Sequence, residues 1–215
     1  MLTMELLPLF PLNVVLFPAS RLRLHIFEER YKLLMERCIS NSAEFGVHLS
    51  TEDELAAIGC TAKVLKVIQT YQDGSFDIVV EGVHRYKLKD TNVSDENIVM
   101  GEVQRIREET ELPAGDRIEK AVALYNNLVV VAYKGKVDLL NIDDVLRNRD
   151  YLSYTIAEKV GLDLTKRQDL LENLSESQRL EEVIQHMEET IPALEQYEKI
   201  QQIVKNDGYL PKAKF

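Results

Sequence analysis

The chain has 215 residues, 45% apolar and 29% charged, a size and balance that suit one large or two modest globular domains with buried cores. Its formal net charge of −10 opposes general binding to a phosphate backbone, which needs clustered Lys and Arg. The two cysteines, Cys38 and Cys60, form no CxxC pair, exclude a disulfide framework and suit a reducing compartment, where both read as small buried hydrophobes.

The opening run "LFPLNVVLFP", residues 9–18, has the apolarity of a targeting segment but not its other features. The first charge is Glu5, so no positive n-region precedes it, and the run is too short and proline-broken to span a bilayer. A cytoplasmic protein is the expectation. Pro8 and Pro11 suit the entry to an edge strand, and "NVVLF" at 13–17 then reads as a buried strand stopped by Pro18. In "RLRLHIF" Leu22, Leu24 and Ile26 share one strand face, which leaves Arg21, Arg23 and His25 on the solvated side.

"EERYKLLMERC" changes to helical spacing, with Tyr31, Leu34, Met35 and Cys38 on one stripe and Glu28 and Glu29 in the first turn. "FGVHL" at 45–49 predicts a short strand, and "TEDELAAIG" a polar connector or short helix. From Cys60 to Leu88 two long extended runs meet at "QDG", where Asp73-Gly74 signals a hairpin, and Gly82 marks a bulge. "ENIVMGEVQRIRE" at 96–108 adds a strand. Such a series predicts a closed or half-closed β-barrel rather than βαβ units.

The polar stretch "ETELPAGD" at 109–116 reads as a domain boundary, with helices after it. The predicted class is α+β: strands over 1–110, a helical bundle over 111–205 and a tail over 206–215. Asp116 with Glu119 resembles a capping box ahead of a stripe of Ile118, Val122, Tyr125 and Val129, with Gly135 as the stop. Residues 141–161 predict a short helix and a longer one ending at Gly161. Thr165 with Gln168 and Ser175 with Gln178 read as further capping boxes, and a last helix is expected from about Thr190, with Pro192 in its first turn.

Signatures of catalysis are missing from the sequence. There is no GxxxxGK[ST] loop, no HExxH and no GxSxG, and His25, His48, His84 and His186 lack metal-ligand spacing. No metal and no cofactor are expected.

Four segments in order carry a resemblance: "PLFPL" at Pro8–Leu12, "FEERY" at Phe27–Tyr31, "IGCTA" at Ile58–Ala62 and "GVHRY" at Gly82–Tyr86. Together they resemble the N-terminal domain of the Lon protease family, and "KRQDLLE" and "SQRLEEVI" extend the similarity into the helical half. The resemblance implies a PUA-like β-barrel followed by an α-helical bundle, the part of Lon that engages substrate proteins and supports assembly. Full-length Lon would continue through a connecting helix, which "YEKIQQIVKNDGYLPKAKF" resembles in its start, into an ATPase and a Ser-Lys peptidase; neither motif is present here. A peptidase label would therefore come from family naming.

Among the motif residues, Pro8, Pro11 and Pro18 shape the opening segment, Phe27 and Tyr31 are expected to pack together in the core, and Gly59 and Gly82 to serve backbone geometry. Arg30 or Arg85 is expected to pair with Glu81 or Glu28 and so anchor the first helix to the barrel. The functional expectation is a non-catalytic module, an adaptor or holdase, that binds unfolded or peptide segments of other proteins, with a AAA+ protease among its partners. Phe10, Leu12, Phe17, Tyr71 and Phe76 are the candidate lining residues. Neither nucleic acid nor membrane is expected as a partner, and monomer and dimer both stay open. The alternative is a peptidase-family hydrolase that brings Ser153 or Cys60 to His84 or His186. RNA recognition, suggested by the PUA-like fold alone, is opposed by the acidic balance.

Overall fold

The first strand, β1 (Met4–Leu12), contains both Pro8 and Pro11. The strand therefore lies earlier than expected, and "NVVLF" is not a strand, although Val15, Leu16 and Phe17 are buried. The prolines fit because each half of β1 is paired on one side. Met4–Pro8 runs antiparallel to β6 (Val99–Arg105), and Leu9–Leu12 runs parallel to β3 (Phe45–Leu49). Among the described pairings each half thus has a row of backbone groups outside a ladder, where a missing N–H costs little. The computed structural model describes residues 4–51, 55–107, 112–147 and 151–206.

Two compact units divide the chain: Met1–Thr110 with Leu162–Ser175, and Glu111–Gly161 with Glu176–Phe215. The first holds a mixed six-stranded sheet that also contains β2 (Arg21–Ile26), β4 (Ile58–Thr70) and β5 (Phe76–Val93), in the order β2-β5-β4-β3-β1-β6. β5 is long enough to pair with β2 and β4 in its first half and with β6 in its second, so the pairings run in a partial ring. The predicted hairpin joins β4 to β5, with Gly74 at φ +79°. Helix α1 (Glu29–Asn41) packs its predicted stripe of Tyr31, Leu34, Met35 and Cys38 into the core formed by Phe10, Phe45, Ile78 and Val80.

Close approach explains the motif glycines. A Cβ at Gly82 would lie 2.1 Å from the Phe17 carbonyl oxygen, because Pro18 bridges to Gly82 there. Gly46 and Gly59 leave room for the Tyr86 ring, whose hydroxyl would lie 2.3 and 2.5 Å from a Cβ at those positions. That hydroxyl donates to His48 Nδ1 at 2.8 Å, and His48 Nε2 donates to the Ala56 carbonyl. Burial lowers the His48 pKa and raises that of Tyr86 well above its ordinary value, so both stay neutral and the tautomer is fixed.

Helix α5 (Leu164–Glu172) belongs to the strand unit, although the sequence places it with the helices. Its N-cap is Asp163, which accepts from the Lys166 amide, rather than Thr165. Arg85, fully buried on β5, donates to the Leu171 and Asn173 carbonyls at 2.7 and 2.6 Å. Gln168 donates to the Ile58 carbonyl at 3.0 Å. A guanidinium facing the last carbonyls of a helix also suits its dipole.

The second unit contains α2 (Gly115–Tyr133), α3 (Ile142–Arg147), α4 (Leu152–Ala157) and α6 (Glu176–Asn206). Ile118, Val122, Tyr125 and Val129 are buried along α2 as predicted, but the helix begins after Ala114, ahead of the expected Asp116 box. α6 is one helix of 31 residues with Pro192 in its interior, not a helix starting at Thr190. An interior proline costs about 3 kcal/mol, which burial of Val183, Ile184, Met187 and Ile191 on the same helix offsets. The Ser153 hydroxyl and amide both donate to Glu176, and Arg179 donates to Glu176 at 2.6 Å and to Ser153 at 3.1 Å. Arg179 also stacks over the Tyr154 ring. This cluster is buried and mutually satisfied.

Candidate functional site

Of the five expected lining residues, Phe10, Phe17 and Phe76 are core, with exposures of 7% or less, and cannot line an open surface. Strand alternation turns Phe10 and Phe76 into the core that α1 covers, and the inward run of 13–17 puts the Phe17 ring under Arg167 at 5.6 Å. Leu12 is half-buried and Tyr71 exposed. Phe27 corrects the opposite expectation. It is 63% exposed and stacks on His25 at 5.9 Å, while Tyr31 alone enters the core, since Phe27 lies ahead of the helix that positions Tyr31. The Arg30–Glu28 pair forms at 2.8 Å but is local, and α1 is tied to its surroundings by Arg30 Nη1 donating to the Asn97 carbonyl at 3.1 Å, Lys32 to the Asp73 carbonyl at 3.3 Å and Arg37 to Glu96 at 2.6 Å. Glu81 instead pairs with Arg21 and Lys63, and Arg85 clamps α5.

An apolar groove of about 840 Å³ lies over the first half of β1. Leu6, Leu7, Pro8, Leu34, Ile98 and Met100 give its apolar surface. Side chains alternate along a strand, so lining by the four consecutive residues Glu5–Pro8 means that the backbone edge of β1 borders the groove. Among the described pairings, Met4–Pro8 is matched only by β6, and the opposite side of the groove is the Asn41–Glu44 turn between α1 and β3. The charges at the rim are matched internally: Arg37 donates to Glu96 at 2.6 Å, and Arg105 bridges Glu5 at 3.0 Å and Glu44 at 3.3 Å. Burial pushes the Cys38 thiol up to about 11, so it faces the groove as an inert apolar group. The arrangement offers apolar contact and main-chain hydrogen bonding without a demand for charge. Sequence reasoning placed Leu34 and Met100 in a helix stripe and a strand but missed the groove; the signal that pointed to it was Pro8, a mark of unpaired edge.

The hydrolase pairing is not assembled. Ser153 is buried with Glu176 and Arg179 as its partners, and Cys60, fully buried, donates to the Thr61 carbonyl. His84 is exposed, and His186 shares a hydrogen bond with the Val160 carbonyl. Among the described residues, no three His, Cys, Asp or Glu side chains are placed to hold a metal, and no helix is long and apolar enough to cross a membrane.

The family model of the ATP-dependent protease La (LON) substrate-binding domain matches residues 6–189. The chain is 27% identical over 210 residues to a Lon protease of Buchnera aphidicola, covering 93% of this chain and 27% of the relative. It is 28% identical over 196 residues to a Lon protease of Endomicrobium trichonymphae, covering 84% of this chain and 24% of the relative. The chain thus spans about a quarter of the length of these relatives, and the matches fall on the substrate-binding domain, not on the ATPase or peptidase domains. Among solved structures, the Lon N-terminal domain protein from Xanthomonas campestris superposes with a TM-score of 0.67 at 25% identity, over 84% of this chain and 97% of the other. The N-terminal domain of a Mycobacterium avium complex Lon protease, at 20% identity and a TM-score of 0.64, shares the fold. With the family model covering most of its length, the chain belongs to the Lon substrate-binding domain family.

Proposed function

We propose that the protein is a non-catalytic module that recognises apolar segments of other polypeptides, and that the groove along β1 is where it does so. The carrying observation is the bordering of that groove by an unmatched strand edge, in a chain of a substrate-binding family. An extended segment adds to Glu5–Pro8 by main-chain hydrogen bonds, with alternate side chains against Leu34, Ile98 and Met100. Such binding tolerates many sequences, as an adaptor or holdase for unfolded chains requires, and a separate AAA+ protease would supply the cutting.

Titration of a fluorescently labelled, permanently unfolded model protein tests this, with Leu6→Asp and Met100→Asp as variants. Binding is expected at about 10 μM, equivalent to roughly −7 kcal/mol, and is expected to weaken about tenfold in each variant. No binding at about 100 μM, or equal binding by both variants, would reject the groove. Cleavage of the labelled chain by the purified protein would reject the non-catalytic reading.

A further inference from the structure

The solvent side of β2, β5 and β4 is built in three rows by register: Arg21–Glu81–Lys63, Arg23–Val79–Lys66 and His25–Asp77–Gln69. The two carboxylates occupy the middle strand and are covered, with side-chain exposures of 24% for Glu81 and 9% for Asp77. The cations stand outside them: Arg21 and Arg23 are 71% and 64% exposed, and Lys63 is 48% exposed. Lys66 is exposed and has no carboxylate partner among the described residues. Four permanent cations over two sheltered carboxylates make this face positive, in a chain whose formal net charge is −10. Aromatic surface borders it, since the exposed rings of Phe27 and Tyr71 lie 5.9 and 5.6 Å from that of His25.

We propose that this face docks a short acidic polypeptide segment, with its carboxylates over Arg21, Arg23, Lys63 and Lys66 and an apolar or aromatic side chain against Phe27 and Tyr71. Charge complementarity selects the occupant. Three strands span about 10 Å and the rows from Arg21 to His25 about 13 Å, room for about four extended residues. A long polyanion such as RNA would extend past the patch over a surface of opposite preference, so the short peptide is favoured. The site is independent of the β1 groove.

The test is fluorescence anisotropy with a labelled peptide of alternating Glu and Phe, its Lys–Phe counterpart and a single-stranded oligonucleotide, at low and physiological salt. The Glu–Phe peptide is expected to bind most tightly and to weaken with salt. Lys66→Glu is expected to lower its affinity about tenfold and Lys66→Gln about threefold, while Lys199→Glu on α6 leaves it unchanged. Lys66 and Lys199 are exposed, so the variants keep the fold, and circular dichroism checks that. Equal binding of the two peptides, an equal loss in Lys199→Glu, or tighter binding of the oligonucleotide would each overturn the proposal.

Discussion

Phe17 and Gly82 meet backbone to backbone. Ala19 donates to the Gly82 carbonyl at 2.9 Å, and Gly82 donates to that of Ser20 at 2.9 Å, so the inward run of 13–20 is sewn to β5 at one residue. A Cβ there would press on the Phe17 carbonyl rather than on a side chain that can rotate away. Gly82→Ala is therefore expected to cost about 3 kcal/mol, read as a lowered midpoint in urea with an unchanged slope. The bulge at Gly82 was legible in the sequence, and the β4–β5 register does shift between Cys60 and Ala62 opposite it, but the close approach to Phe17 was not, because both leave the same residue behind. Asp77 shows another limit. Hydrogen bonds from Arg23, then His25, hold its carboxyl down at about 2, and Tyr71 adds a third at 3.2 Å. Nothing in "SFDIVV" announces that network, since its members come from three separated segments.

Among the elements, those with unbroken periodicity were legible: α1 from its stripe, β2 from strict alternation, and β3 at its observed bounds. Elements in which a local rule was overridden were not. Pro192 reads as a helix start, yet α6 runs through it from a buried stretch that ends at Ile191, and Pro8 and Pro11 read as strand entry although β1 contains them. α5 was found but assigned by its neighbours in sequence, when its attachment runs through Arg85 and Gln168 to strands some ninety residues away or more. Arg85→Met keeps the length and apolar volume while leaving the Leu171 and Asn173 carbonyls short of a donor. It is expected to cost about 2–3 kcal/mol, and amides of 164–172 should lose hydrogen-exchange protection before those of β4 and β5. Uniform loss of protection across the sheet would show instead that α5 is not separately held.

At the scale of the whole chain, the polypeptide passes between the two units three times, after residues 110, 161 and 175. A reading by composition sees one change of character, from strands to helices near 110, because it cannot see a helix that returns. The difference decides how the molecule can be dissected. A fragment of residues 1–110 holds every strand among the described residues but lacks α5, so the Arg85 guanidinium loses two carbonyl acceptors and Ile58 loses a donor. It also loses the cover of Arg167, which lies over the Phe17 ring at 5.6 Å. Each hydrogen bond from a charged donor contributes about 1.5–3 kcal/mol, so losing both takes a large share of the stability of a domain this size. The fragment is therefore expected to melt at low temperature without a sharp transition, and a synthetic peptide of residues 162–175 added in trans should raise and sharpen that transition in proportion to its concentration. The same peptide carrying Gln168→Ala should rescue less, because the Ile58 carbonyl then stays unmatched. If the bare fragment melts as cooperatively as the full chain and ignores the peptide, the strands form a self-sufficient unit and α5 is an ornament on it rather than a part.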